Sequence, residues 1–197
     1  MPSRPIVISA FAATAALAAA SAHAGLPTYD SYQLQLRSNF AVNGGGFNLP
    51  DNVFFNSATP ALNDVGELSV SVGPVGDGEG VWFGANGMGQ IEYTSPSGAF
   101  LSDVSLNNLG FMVFEQNFAS PDGIFFYDSV ADTSGLLTDR PIGASGWGSP
   151  QVNDSGNVGY KASFLGDNAL YIFDGVSANL VVADADVDFM SPYSFIF

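Results

Sequence analysis

Three carboxylates at alternate positions, Asp184, Asp186 and Asp188 in the stretch DADVDF, form the first constellation in this chain with the spacing of a metal site. Hard oxygen ligands so spaced open a calcium loop. The rest of that loop is missing, because Phe189 stands where its sixth-position glycine belongs and no Glu stands at the twelfth. A solvated loop at a strand end suits the same residues, since Asp139 closes an equivalent run, GLLTD, to that closed by Asp184 in NLVVAD. Calcium is the only cofactor the spacing suggests; otherwise none is expected.

Acid-base chemistry would have to come from Glu67, Glu79, Glu92, Glu115 and fifteen aspartates. A pair of these could hydrolyse a glycoside, but no spacing marks a pair. Acidic sugars would also want an arginine cluster, which Arg37 and Arg140 do not make. Lys161 could serve a Ser–Lys dyad only if desolvated; lying between Tyr160 and Ala162, it reads as the polar face of a strand. Of the two tryptophans, Trp82 in GVWFG reads as core, whereas Trp147 in ASGWGSP has small neighbours. Trp147 is the one binding candidate, as a surface on which a sugar ring could stack.

The elements that must position these groups begin after residue 24. Arg4, an Ala-rich apolar run over residues 5–20 and Ala22-His23-Ala24 have the order of a cleavable export signal. Cleavage near Ala24 removes the sole histidine, His23, and the chain has no cysteine. The mature protein is therefore without imidazole bases, thiol nucleophiles, Cys/His zinc sites and disulfides. Losing Arg4 takes the formal charge from -15 to -16. That excess of carboxylates opposes nucleic acid and anionic lipid, and no later run is long and apolar enough for a membrane helix.

Asn63, Asn107 and Asn153 recur at intervals of 44 and 46 residues, each followed by Gly66, Gly110 or Gly156. Asn at the head of a turn can bond the backbone two residues on, and Gly three later can take a positive φ. Each Asn-x-x-Gly thus predicts a hairpin. Apolar residues then alternate, as in Leu68-Val70-Val72 and Val158-Tyr160-Ala162, which is strand periodicity. Further apolar runs recur in step: GVWF, GIFFYD and ALYIFD, then QIEYT, GLLTD and NLVVAD. Four short strands per repeat of about 45 residues is the content of a propeller blade.

The expected fold is all-β, a propeller-like set of tandem repeats that is incomplete or open. A signal segment 1–24 precedes a β-repeat domain 25–197. That domain divides into a partial unit 25–53, units at about 54–98, 99–143 and 144–188, and a partial unit 189–197. Unpaired edges around Tyr193, Phe195, Ile196 and Phe197 would invite self-association.

The skeleton Asn-x-x-Gly-x-x-x-aromatic, met by Asn107, Gly110 and Phe114 and by Asn153, Gly156 and Tyr160, resembles that of exported bacterial tandem-repeat proteins with an NxxGxxxF motif. The first copy departs from it with Val70. Members of that group often end in a variable sorting anchor such as a PEP-CTERM segment. The resemblance implies a secreted or periplasmic location at the cell exterior and no particular activity. The expected function is a non-enzymatic exported module for binding an envelope or extracellular ligand, or for structure. The contrasting expectation is a carboxylate-dependent, glycosidase-like hydrolase.

The exported form is expected to begin at Gly25. Mass spectrometry of the secreted or periplasmic fraction checks this, and a soluble cytoplasmic form retaining Met1 would contradict it.

Overall fold

The computed structural model describes residues 34–39, 48–56, 59–165 and 167–183, all within the compact unit Gln33–Phe197. The expected export signal 1–24, the aspartates at 184, 186 and 188, and the closing segment 189–197 lie outside the described residues.

Among the described residues the secondary structure is entirely β, in three antiparallel sheets that follow one another along the chain. In the first, β1 (Phe54–Phe55) and β2 (Ala61–Leu62) pair with different stretches of β3 (Glu67–Val75), followed by β4 (Gly78–Ala85) and β5 (Met88–Thr94). The second is a four-stranded meander of β6 (Phe100–Leu106), β7 (Phe111–Asn117), β8 (Gly123–Asp128) and β9 (Thr133–Asp139). The third repeats it with β10 (Gly146–Val152), β11 (Val158–Ser163), β12 (Asn168–Phe173) and β13 (Ala178–Ala183). Each sheet breaks register between its last two strands, at Val81/Trp82, Ile124/Phe125 and Leu170/Tyr171. Such a bulge bends the strand and sharpens its twist.

Packing is face to face. Residues of β7 alternate between two cores: Met112 and Phe114 join Val81, Leu101 and Tyr127 against the first sheet, while Phe111 and Val113 join Val158, Tyr160 and Phe173 against the third. Tyr93 bridges the first seam, its ring centroid 4.8 Å from that of Phe114 and its hydroxyl donating to Gln116 Oε1 at 2.6 Å. Trp82 is fully buried on the outer face of the first sheet with Leu36, Leu49 and Val53. Because Leu36, Leu49 and Val53 cover one face of this sheet and the second sheet the other, Ser69 and Ser71 are as buried as Val70 and Val72, although strict alternation predicts a solvated side for them.

The turns explain the repeated asparagine. In each, the glycine N–H donates to the asparagine carbonyl, at 3.1, 3.3 and 3.0 Å, and Gly66, Gly110 and Gly156 have φ of 84°, 75° and 81°. Asn107 Oδ1 accepts from the backbone of Leu109 and Phe111, and Asn153 Oδ1 from Ser155 and Asn157. Asn63 Oδ1 accepts from Glu67 alone of these backbone sites. The other half of the amide reaches across the seam. Asn63 Nδ2 donates to the Asn107 carbonyl at 2.9 Å, and Asn107 Nδ2 to the Asn153 carbonyl at 3.0 Å. The next residues form a second rung: Asp64 N–H donates to Asn108 Oδ1, Asn108 N–H donates to Asp154 Oδ1, and Asn108 Nδ2 donates to both Asp64 and Asp154.

Gly156 has open space around it, so a side chain there meets only the cost of its backbone angle. Gly156→Val is expected to lower stability by about 1–2 kcal/mol. Asn157→Ser, at an exposed position whose backbone N–H still reaches Asn153, should change it by no more than about 0.5 kcal/mol. Chemical denaturation of the two variants checks the order.

Candidate functional site

A carboxylate inside an apolar strand needs an explanation, and β7 carries one: Glu115 in FMVFEQN, only 6% exposed. Two neighbouring strands are shaped around it. In β6 the register breaks between Leu101 and Val104, and Ser102 in that break donates its hydroxyl to Glu115 Oε2 at 2.5 Å. In β10 it breaks between Gly148 and Gln151, and Gly148, at φ 147°, lies where any Cβ would collide with the Glu115 carboxylate. Asn117 Nδ2 donates to the remaining oxygen, Oε1. Bulges next to a functional group commonly re-aim side chains in this way.

Glu115 forms part of the wall of a cleft of about 290 Å³ between the second and third sheets, with Asn117, Phe118, Asp122, Arg140 and Trp147. Its volume is at the lower end of the roughly 300–1,000 Å³ usual for small-molecule sites. Asp122 immediately precedes β8 and Arg140 follows β9, and their backbones are tied by Arg140 N–H donating to the Asp122 carbonyl at 3.2 Å. Their side chains pair at 3.9 Å, a long and partly exposed contact. Arg140 also lies over the Trp147 ring, 4.8 Å from its centroid.

Burial pushes the Glu115 carboxyl above the ordinary glutamate range, with the Ser102 and Asn117 hydrogen bonds opposing and the Asp103 and Asp122 charges adding to the rise. Burial also raises Asp122, against the pull of Arg140. Glu79 is raised by burial too, although its Oε2 accepts from the Leu101 backbone at 2.6 Å; it belongs to the first seam and does not line the cleft.

The sequence candidates fall in different places. Trp147 is in the cleft, but Arg140 covers one face of its ring and the ring packs beside the core of the second seam, so it offers an edge and not an open face. Lys161 sits half-buried on β11. Glu67 is spent on the Asn63 turn and Glu92 on Gln90. Among the described residues no group of three His, Cys, Asp or Glu could hold a metal ion, and no helix is long and apolar enough to cross a membrane. Sequence reasoning did not single out Glu115, Asp122 and Arg140 as partners of Trp147; the one local signal was a charge within an apolar run.

No protein-family model matches the chain, and no curated protein matches it. Among solved structures it is similar to the β-propeller TolB from Acinetobacter baumannii, with a TM-score of 0.50 and 12% sequence identity. The match covers 67% of this chain and 32% of that one, so the chain spans about a third of TolB. At this identity the likeness is one of fold.

Because the folded-state pKa of Glu115 is raised, the native protein holds its proton to higher pH than the unfolded chain does. Stability from this group is greatest below the ordinary value of 4.5 and falls as pH rises through the raised value. Glu115→Gln is expected to remove that decline. Melting temperatures of both proteins from pH 4 to 8 check it: the variant should gain on the wild type as pH rises.

Proposed function

We propose that the chain is an exported, non-enzymatic module of propeller type that binds a ligand or braces structure at the cell exterior. Support for the architecture comes from three successive antiparallel sheets joined turn to turn, the last two of them four-stranded meanders, and from the fold likeness to TolB. Export rests on the order of residues 4–24. The observation that carries the non-enzymatic reading is the state of Glu115. A carboxyl group that protonates a leaving group or attacks a sugar must present an oxygen to substrate. Glu115 is only 6% exposed, and each of its oxygens already accepts a hydrogen bond, from Ser102 or Asn117, so it presents little to a substrate.

A second reading has one observation in its favour. Glu115 and Asp122 share a cleft and burial raises both, and a raised carboxyl is what a general acid requires. Incubating the purified mature protein with plant and bacterial polysaccharides and assaying reducing ends separates the two. No release above buffer is expected. Release that Glu115→Gln abolishes, with the fold intact, would establish the hydrolase.

A further inference from the structure

The cleft between the second and third sheets contains two polar groups that the protein leaves without partners. Trp147 Nε1 is a buried donor with no acceptor, and Asp122 Oδ1 is a buried acceptor with no donor. Both residues line the same space. Buried polar atoms in native folds are nearly all paired, because leaving one unpaired forfeits its hydration with nothing in return.

We infer that this cleft is a subsite for an uncharged, hydroxyl-rich ligand, a saccharide unit; the assignment rests on reading the chain as a binding module. Other ligand classes fit the cleft poorly. An anion would meet Glu115 and Asp122 on a chain of net charge -15, with the nearby Arg140 already paired to Asp122. A cation has no acceptor to offer the buried Trp147 Nε1 donor. An apolar ligand would leave the indole N–H and the carboxylate oxygen unsatisfied. A hydroxyl group both donates and accepts, so hydroxyls of one sugar unit can serve Asp122 Oδ1 and Trp147 Nε1 together. Phe118, 83% exposed with φ 66°, adds a ring at the rim for the sugar's C–H face.

Arg140 acts as the cover. Its side chain is 44% exposed and its pairing distance to Asp122 is 3.9 Å; partly exposed pairs of this kind contribute little to stability. Swinging it aside gives up this weak pair and its contact with the Trp147 ring, and frees that wall of the cleft for the ligand. Trp147 thus recognises sugar through its ring edge rather than by stacking.

Calorimetric titration of the mature protein with glucose, mannose and galactose hexaoses, with oligogalacturonate as the anionic comparison, tests the assignment. At least one neutral hexaose is expected to bind and the anion more weakly. Asp122→Asn should weaken binding about tenfold or more, and Trp147→Phe, which keeps a ring but lacks the N–H, about three- to tenfold. Should a variant lose its β-sheet circular dichroism spectrum, iodide quenching of the wild type decides instead. Trp82 is fully buried, so bound sugar should shield the quenchable Trp147 emission. No neutral binding, preference for the anion, wild-type affinity in both folded variants, or unchanged quenching would overturn the assignment. Release of reducing ends would overturn the non-enzymatic reading and leave the saccharide assignment standing.

Discussion

Asn107 holds two turns at once. Its Oδ1 closes its own hairpin by accepting from Leu109 and Phe111, and its Nδ2 donates to the carbonyl at the head of the next hairpin. An amide is the side chain that offers an acceptor and a donor a short distance apart, and each here has a fixed, buried task. A carboxylate would close the turn but could not donate across the seam. The placement of whole sheets therefore depends on this group: the strands on either side of each hairpin carry the core residues, and the amide fixes one turn against the next. Asn108 strengthens the joint by setting a neutral amide between Asp64 and Asp154, which would otherwise repel each other.

The seams themselves are filled differently. The first is aromatic, with Tyr93, Phe114 and Phe125 in mutual contact. The second combines the stacked Tyr160 and Tyr171 rings with the polar pocket around Glu115. Hydrophobic area drives both together, but it is not directional; the asparagine bonds supply direction. In the second seam part of the apolar contact is replaced by a buried carboxylate, its two donors and, in the cleft, two unsatisfied atoms. A fold selected for stability alone would fill such a space with apolar side chains, which is why this seam is the place to seek function.

The legible features of the sequence were local. An Asn and a Gly three residues apart determine their turn from within, and the alternation of Leu68, Val70 and Val72 needs only strand geometry. The bond from Asn63 to Asn107 joins residues 44 apart, and nothing in either motif announces that its amide has a second partner. Alternation also misled where sheets stack, since Ser69 and Ser71 have no solvated face to occupy. Small neighbours suggested that Trp147 is open, whereas Gly148 is small because Glu115 presses against it. Asp122 and Arg140 come from separate loops, and their meeting is set by the pairing of β8 with β9.

The central claim is that the repeated asparagines join sheets as well as closing turns, and the molecule contains its own control. Asn63 and Asn107 are buried and bridge a seam, while among the described residues the exposed Asn153 side chain bonds only within its own turn. Equilibrium unfolding of the three Asn→Ala variants tests the claim most directly. Asn63→Ala and Asn107→Ala should each lose roughly 2–3 kcal/mol, because each gives up its bond across the seam as well as those in its own turn, and Asn153→Ala about 1 kcal/mol. Equal losses at all three positions would show that the side chains serve their own turns alone and would contradict the account.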